Sequence, residues 1–313
     1  MGPSGVAIAA GYGADAAFGD PRRFHPVAGF GRLAAALETV TYRPSRVAGA
    51  DHAALLVGSS FALGWLGERA GGGRLRRLVL AAALWSALGG RSLVAEARRV
   101  GRLVEAGDLP AARRAVPALV GRDPSRLGPE ELCRATVESL AENTVDAVVA
   151  PLMWAAAAGS GGVLAHRAAN TLDAMVGHRN ARYERFGWAS ARLDDAMNWP
   201  AARLTAAAAA ALAPVAGGSA GETWRIVRRD GAAHPSPNGG RTEAAFAGAL
   251  GVALGGRNVY AERVEERPLL GDGPAPGPGD IERAARLSLA VGHVTAALFA
   301  VGAALRGRAG DPA

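Results

Sequence analysis

Long apolar segments alternate with shorter polar stretches along this chain. The clearest apolar segment covers residues 284–305, and two others cover residues 50–66 and 78–93. A helix needs about 20 mostly apolar residues to cross a bilayer, and these segments approach or reach that length. A glycine-rich, basic turn at residues 71–74 separates segments 50–66 and 78–93, which predicts a helical hairpin.

Two more segments, residues 148–164 and 201–215, are weaker candidates for membrane spans. Their Ala and Gly residues contribute little transfer free energy, and each segment contains a proline. The alternation that is typical of strands is nearly absent, so the sequence predicts an all-α, multi-pass helical membrane protein. A buried all-α core in a soluble protein is the alternative, since a mean hydropathy of +0.10 is low for a membrane protein.

The predicted organisation is a single helical membrane domain over residues 1–313, in which amphipathic helices and polar loops form the site. Polar residues concentrate in four motif segments, at 19–32, 134–151, 170–205 and 228–256. Residues 271–279 (GDGPAPGPG) predict an irregular, exposed loop, because a stretch so rich in Pro and Gly satisfies few backbone hydrogen bonds internally.

The composition excludes some chemistry. All 35 basic residues are Arg, so neither a P-loop nor a Schiff-base mechanism is available, because both need a lysine amine. The formal net charge is +7, but the Arg residues are scattered without an aromatic-interleaved basic stripe, and we expect no nucleic-acid partner. The charge favours anionic lipid headgroups and phosphorylated substrates; a composition merely biased towards Arg is the alternative.

The first motif segment contains GDPRRFHPV, directly after an apolar run. Each proline pushes the residue before it out of the helical region, so Asp20 and His25 are predicted on extended backbone. An Asp and a His held in this way can bind a metal or carry a proton. A plain turn with a capping Asp is the alternative.

The second motif segment carries carboxylates at helical spacing. Glu138, Glu142 and Asp146 follow one another every four residues, one turn after Arg134, and are predicted along one slowly drifting stripe. Stacked like charges repel unless a cation or an Arg neutralises them. Because apolar sequence follows at once, the stripe indicates Mg²⁺ shared with phosphates; a solvated helix face is the alternative.

The third motif segment is the densest. Asn170 and Asp173 share a predicted helix face, and Asp194 or Asp195 lies one turn before Asn198. Carboxylates and carboxamides can complete a metal shell, while the Arg residues of the loop between them can grip phosphate or carboxylate. A surface loop rich in ion pairs is the alternative, and Trp188 and Trp199 also fit interfacial anchors.

The fourth motif segment contains the rigid run HPSPNGG. Its prolines and glycines force a tight loop that presents His234, Ser236 and Asn238 together, and Glu243 then opens an apolar helix. Rigid loops are where proteins place binding groups, although a connecting turn is equally compatible with this pattern.

Four runs together resemble a known family: GDPRRFHPV, ESLAENTVDAVVAPL, NTLDAMVGHRNARYERFGWASARLDDAMNWPAARLTA and HPSPNGGRTEAAFAGALGVALGG. In order and spacing, over residues 15–256, they resemble the signature segments of the adenosylcobinamide-phosphate synthase family. The resemblance implies a multi-pass enzyme of the bacterial inner membrane, late in cobalamin assembly. It also implies an ATP-dependent amidation that joins adenosylcobyric acid to aminopropyl phosphate.

The residues selected above take three predicted roles. The catalytic residues are Glu138, Glu142, Asp173, His25 and His234; the substrate-binding residues are Arg179, Asn180, Arg182, Tyr183, Arg203, Ser236 and Asn238; the metal ligands are Asp146, Asn170, Asp194 and Asp195. The resemblance implies Mg²⁺ and ATP as cofactors. It implies the corrinoid, aminopropyl phosphate, the lipid bilayer and other cobalamin-assembly enzymes as partners. No nucleotide motif locates the ATP site.

Two other classes of protein stay open at this point. A membrane prenyltransferase-like enzyme also uses Asp and Asn on helices around Mg²⁺ and diphosphate, and the pairs Asn143 with Asp146 and Asn170 with Asp173 fit that pattern. The rigid HPSPN loop is not expected in such an enzyme. A non-catalytic membrane scaffold or transporter subunit is the third possibility.

Overall fold

The computed structural model describes residues 3–20, 25–121, 123–178, 180–260 and 263–309, and over these ranges the protein is predominantly helical. The helices are α1 (Pro3–Phe18), α2 (Pro26–Thr41), α3 (Arg46–Ala70), α4 (Gly73–Ala87), α5 (Gly90–Glu105), α6 (Leu109–Ala115), α7 (Pro129–Thr144), α8 (Ala150–Val176), α9 (Tyr183–Phe186), α10 (Trp188–Ala211), α11 (Ala220–Asp230), α12 (Gly239–Leu250) and α13 (Pro278–Ala309). Short 3₁₀ turns lie at Val116–Ala118 and Ala213–Ala216, and a π-helical turn at Val145–Val149 joins α7 to α8.

Among the residues that the structure describes, four helical stretches are long and apolar enough to cross a membrane: Arg46–Ala70, Gly73–Glu105, Pro129–Val176 and Pro278–Arg306. The predicted hairpin is confirmed as α3 and α4, which pack against each other. The predicted segments 148–164 and 284–305 are also confirmed within these stretches. Residues 201–215 are not among the four stretches, which agrees with their weaker pattern. The all-α, multi-pass membrane fold is therefore confirmed.

The sequence pattern did not predict the one pair of strands found in the described chain. Strands β1 (Leu254–Tyr260) and β2 (Arg263–Leu270) form an antiparallel hairpin, in which Arg257 lies opposite Glu266. A bulge between Leu254 and Gly256 places Gly255 at φ 90° and Gly256 at φ 78°. Two glycines in β1 and the charged run Glu265-Glu266-Arg267 in β2 interrupt the apolar positions, so the alternation of apolar side chains that signals a strand is weak here.

The chain divides into two compact units. The first comprises residues up to Gly89, then Asp146–Asn198, then residues from Thr295 onward; the second comprises Gly90–Val145 and Trp199–Val294. Helices α10 and α13 contribute residues to both units. The prediction of a single membrane domain stays a prediction.

The core of the first unit joins α1, α4, α8 and the end of α13. Ile8, Leu84 and Leu152 are fully buried at its centre. Close packing of α3 on α8 depends on Gly64, where an added Cβ would overlap the backbone of Ser160 and Gly161. Small residues at such crossings let membrane helices approach closely.

Helix α8 is broken in the middle. Ala158 and Gly159 leave helical geometry, with Gly159 at φ 62°, a conformation that favours glycine. The helix restarts at Ser160, whose backbone N–H and hydroxyl both donate to Glu68 Oε1 at 2.7 Å. Glu68 of α3 thereby satisfies a backbone donor that the break leaves without a helical partner.

The second unit surrounds α12, whose residues are almost all buried. Helix α12 packs on α11 and α7, and α5 packs on α7 and α6. The predicted irregular loop is confirmed over residues 271–277, whereas Pro278 and Gly279 already belong to α13. The predicted exposure holds for Asp272, Pro274 and Ala275, but Pro276 is buried. Asp272 in this loop pairs with Arg225 and Arg229, which fixes it to α11.

Candidate active site

The first group of polar side chains, called here the Asp194 cluster, consists of Asp146, His166, Arg167, Asn170, Asp173, Asp194 and Asn198, all in the first unit. Helix α10 presents Asp194 to α8. Asp194 Oδ1 accepts hydrogen bonds from the side-chain amides of Asn198 at 3.0 Å and Asn170 at 3.3 Å. Asn198 is itself fixed by a 2.8 Å hydrogen bond between its Oδ1 and His166 Nε2.

Several carboxylate side chains lie near Asp194. Burial raises the pKa of Asp194 well above its ordinary value, and the neighbouring carboxylates of Asp146 and Asp173 raise it further, while the two amide hydrogen bonds oppose this. The guanidinium of Arg167 faces Asp20, Asp146 and Asp194. The Asp194 cluster therefore combines several carboxylates with one buried cation.

The oxygen donors of the Asp194 cluster fit Mg²⁺ in their chemistry. Mg²⁺ prefers oxygen ligands and is usually held by one or two carboxylates together with substrate phosphates. Within the described ranges, no group of three or more His, Cys, Asp or Glu side chains is arranged to hold a metal ion by itself. Asn170 Oδ1 accepts from Arg167 at 3.4 Å, and Asp195 faces Asp173. Water and substrate phosphate oxygens would complete the shell of a metal held in this cluster.

The second group, called here the Glu243 cluster, consists of Glu138, Glu142, His234, Glu243 and Arg267, all in the second unit. Glu243 has 0% of its surface exposed. Its Oε1 lies 3.6 Å from His234 Nε2 and 4.0 Å from Arg267 Nη1. Burial raises the pKa of Glu243 well above its ordinary value, and Glu142 and Glu138 raise it further.

His234 is held in one orientation by its own loop. Its Nδ1 accepts a hydrogen bond from the backbone N–H of Ser236 at 3.0 Å, so in the neutral ring the proton lies on Nε2, which faces Glu243. Burial and the positive charge of Arg267 lower the pKa of His234. The ring is therefore neutral at physiological pH.

Glu138 and Glu142 approach the same place from α7. Glu138 accepts a hydrogen bond from the backbone N–H of Gly255 at 2.8 Å, in the bulge of β1. Glu142 lies against the start of α12, where a Cβ added to Gly239 would be 2.9 Å from Glu142 Oε1. The predicted stripe therefore holds for Glu138 and Glu142. It is interrupted before Asp146, which lies in the π-helical turn, where four-residue spacing no longer applies.

Arg203 fixes the HPSPN loop. Its Nη1 donates to Asn238 Oδ1 at 3.1 Å, and its guanidinium lies 4.0 Å from the centroid of the Trp199 ring. Burial and the nearby charge of Arg241 lower the pKa of Arg203. Neither Arg203 nor Arg241 forms an ion pair with a carboxylate in the described part of the chain. Ser236 Oγ accepts from the backbone N–H of Gly239 at 3.0 Å, so it satisfies the first backbone donor of α12.

Several predicted site residues have structural partners outside both clusters. Arg182 and Tyr183 contact Glu38 of α2, with Arg182 Nη2 at 2.8 Å and the Tyr183 hydroxyl at 3.0 Å from Glu38 Oε1. Asn180 Oδ1 accepts from the backbone N–H of Tyr183 at 2.9 Å. His25 caps α2 by accepting from Val27 N–H at 3.2 Å, so His25 rather than Asp20 provides the cap. Arg179 lies outside the described residues, and the substrate-binding roles stay predictions.

The structure also adds residues that the motifs did not select, namely Glu38, Arg167, Arg241, Glu243 and Arg267. Glu243 carried a signal in the sequence, because it is a lone carboxylate before the apolar run AAFAGALGVALGG. Arg267 carried none, since it occurs in a strand with several charged neighbours.

The fold and the two clusters define a multi-pass helical membrane protein with buried groups of carboxylates, amides and guanidiniums. The family model described as CobD/Cbib protein matches residues 8–288, and the chain belongs to this family. The predicted resemblance is thereby confirmed, and the chain is a cobalamin biosynthesis enzyme.

Similar proteins cover nearly the whole chain. A protein of Mycobacterium tuberculosis named cobalamin biosynthesis protein CobD is 53% identical over 287 residues, which cover 92% of this chain and 91% of the relative. The protein of the same name from Geobacter metallireducens is 46% identical over 265 residues, covering 82% and 83%. The one from Chromobacterium violaceum is 43% identical over 282 residues, covering 87% and 88%. No solved structure matches the chain.

Proposed function

We propose that the protein is an adenosylcobinamide-phosphate synthase of the bacterial inner membrane. It joins the carboxylate of adenosylcobyric acid to the amine of (R)-1-aminopropan-2-yl phosphate in an ATP-dependent amide formation. The observation that carries the proposal is the grouping of predicted site residues from separate segments. Glu138 and Glu142 of the second motif segment meet His234 of the fourth, and Asp146 of the second meets Asp194 of the third.

The chemistry explains why such groups are needed. A carboxylate becomes an amide only after its oxygen is converted to a leaving group, and ATP supplies this chemistry when bound. Mg²⁺, when bound, neutralises phosphate oxygens. Asp146, Asn170, Asp194 and Asp195 would hold it, because their oxygen donors match its preference.

The chain's own residues then handle charge and protons. Arg203 and Arg241 lie close to each other without a carboxylate partner, so they are suited to hold a phosphate group. The attacking amine must lose a proton to expose its lone pair, and Glu142 is a carboxylate beside the neutral His234 that can accept it.

The test is a reconstituted assay. The purified protein in lipid nanodiscs is incubated with adenosylcobyric acid, aminopropyl phosphate, ATP and Mg²⁺, and the amide product is measured by mass spectrometry. We expect product with wild type, and a loss of about a hundredfold or more in kcat for Glu142→Gln, as is typical for a general base. The exposed Glu266→Gln variant is the matched control. Absence of product with wild type, alongside an active relative, would refute the proposed function.

A genetic test separates the residue assignment from the function. Asp173→Asn and Glu142→Gln variants are expressed in a strain that lacks its synthase. If wild type restores cobalamin-dependent growth and both variants restore it fully, the catalytic assignment is wrong although the function stands.

A further inference from the structure

A surface pocket of the first unit lies where a membrane span begins. It has a volume of about 570 Å³, and its walls come from the start of α3 and from α9: Pro44, Ser45, Arg46, Glu184 and Arg185. Arg46 is the first residue of the candidate span Arg46–Ala70. The 25 residues of this helix extend over roughly 37 Å, whereas the hydrocarbon core of a bilayer is about 30 Å thick. The pocket therefore lies at the depth of the lipid headgroups.

The pocket carries two guanidiniums and one carboxylate. Among the residues that the structure describes, neither Arg46 nor Arg185 forms an ion pair with a carboxylate. Arg182, just before α9, differs from them, because its guanidinium pairs with Glu38 at 2.8 Å. The pocket therefore has an excess of positive charge, and an anion is the ligand that balances it.

An aromatic ring holds Arg46 in place. The guanidinium of Arg46 lies 5.2 Å from the centroid of the Trp188 ring, at the start of α10. A guanidinium stacked by its face keeps the N–H donors at its edge, and these can form two parallel hydrogen bonds to a phosphate. The side chain of Ser45 does not cap α3, so the backbone N–H groups of the first turn add further donors beside Arg46.

Apolar side chains beside the pocket indicate that the phosphate belongs to a lipid. Val47 is 70% exposed and Trp188 is 42% exposed, and both are next to Arg46. Trp is enriched at the headgroup level of membranes, because its ring is apolar and its N–H is polar. A free phosphate ion would leave these apolar surfaces in water, whereas the acyl chains of a phospholipid cover them.

We propose that this pocket binds the phosphate of an anionic phospholipid between Arg46 and Arg185, with the acyl chains along the exposed face of α3. The inference does not depend on the proposed function, because it uses neither the Asp194 cluster nor the Glu243 cluster. The bound lipid links the start of α3 to α9, which lies in the connection between α8 and α10. Since α8 carries Asn170 and α10 carries Asp194, the lipid also steadies the connection between these two parts of the Asp194 cluster.

Native mass spectrometry of the full chain in detergent tests the pocket, because it resolves individual bound lipids. The probes are phosphatidylglycerol, which is anionic, and phosphatidylcholine, whose choline balances the charge of its phosphate. Wild type should bind one phosphatidylglycerol about tenfold more tightly than phosphatidylcholine, the size expected for a hydrogen bond to a charged group. Arg46→Gln and Arg185→Gln should each lose most of this preference. Excess inorganic phosphate should not displace the lipid, since it lacks the acyl chains.

Two further variants separate the pocket from the general charge of the protein. Arg43→Gln is the matched control, because Arg43 is exposed in the same connection but does not line the pocket. It should keep the preference of wild type. Glu184→Gln removes the carboxylate that repels the phosphate, so it should bind phosphatidylglycerol about fivefold more tightly, as is typical for one charge near an anionic headgroup.

Three results would overturn the proposal. An equal loss of preference in Arg43→Gln, Arg46→Gln and Arg185→Gln would mean that net charge attracts the lipid without a defined site. Displacement of the lipid by inorganic phosphate would assign the pocket to a free phosphate ion. Weaker binding in Glu184→Gln would mean that the carboxylate, and not the guanidiniums, holds the headgroup. If Arg46→Gln fails to fold, Arg185→Gln makes the same comparison from the opposite wall of the pocket.

Discussion

Glu243 lies in α12 among apolar side chains, with none of its surface exposed to solvent. An ionised carboxylate in such surroundings costs several kcal/mol unless it is paired and hydrogen bonded. The guanidinium of Arg267 is 4.0 Å away, and two further carboxylates oppose ionisation. These surroundings favour the protonated form of Glu243, which shares a hydrogen bond with the Glu142 carboxyl.

This protonation predicts how stability changes with pH. The pKa of Glu243 in the folded protein is raised above the ordinary value of 4.5, so between these two values the folded state binds more protons than the unfolded state. Stability is therefore lost as pH rises through this interval. Glu243→Gln mimics the protonated carboxyl and removes that loss. Its unfolding temperature should exceed that of wild type by a few degrees at about pH 8, and the difference should shrink as the pH falls.

The measurement is thermal unfolding in detergent, followed by circular dichroism across pH. The lowered pKa of His234 acts in the opposite direction in both proteins, since protonating it at low pH costs stability, so the comparison is made at pH values above 6.5, the ordinary pKa of His. The control Glu266→Gln should follow wild type at every pH. Parallel curves for Glu243→Gln and wild type would mean that Glu243 is ionised in the folded protein.

At the scale of elements, the bulge of β1 places the backbone donor that holds Glu138. Gly255 has φ 90°, and an added Cβ would overlap the carbonyl oxygen of Pro268. Gly251 has a similar φ of 68°, but an added Cβ there meets no atom within 4 Å. Comparing alanine substitutions at these two glycines therefore separates the free-energy cost of the backbone conformation from that of the steric clash.

We expect Gly255→Ala to destabilise the protein more than Gly251→Ala. The backbone strain alone should cost about 1–2 kcal/mol in each variant. Gly255→Ala should lose more, because the clash displaces the hairpin and the hydrogen bond to Glu138. Equilibrium unfolding of both variants in the same detergent measures the difference. Equal losses would mean that the hairpin adjusts without disturbing Glu138.

The elements also indicate how far the sequence could predict this structure. Apolar segments of bilayer length predicted α3, α4, α8 and α13, because a membrane span depends on local composition that the sequence displays directly. The hairpin of β1 and β2 was missed, because cross-strand pairs such as Arg257 with Glu266 stabilise it and pairing is not local.

The sequence predicted which types of residue form the candidate site, but it did not predict which of these residues lie together in the fold. Helical spacing correctly related Glu138 to Glu142, since both lie on α7. The approach of Glu243 and Arg267 depends on how α12 and β2 pack, and nothing in the spacing of residues reveals it. Arg182 was predicted to bind substrate, yet its partner in the fold is Glu38, 144 positions earlier in the chain.

At the scale of the whole molecule, large apolar side chains cover the outward faces of the candidate membrane spans. Leu63 on α3 is 69% exposed and Leu298 on α13 is 55% exposed. Large apolar side chains exposed along these helices are unfavourable in water. Lipid tails are the surroundings that this surface fits, because they form no hydrogen bonds and need none.

Cysteine labelling tests this environment directly. The single cysteine, Cys133, is buried, so Cys133→Ala gives a background without reactive thiols. In that background, Leu63→Cys and Leu298→Cys should resist a water-soluble maleimide in membranes opened to both sides, because lipid excludes the reagent and keeps the thiol protonated. Both should react fully once detergent has unfolded the protein.

Ala232→Cys is the matched control, because Ala232 is exposed in the turn after α11 and should react in the same opened membranes. All three variants carry a cysteine at an exposed position of the same fold, and they differ in whether lipid or water surrounds that position. Reaction of Leu63→Cys and Leu298→Cys as fast as Ala232→Cys would mean that water, not lipid, surrounds α3 and α13. The apolar faces would then have to be covered by another protein surface in the cell.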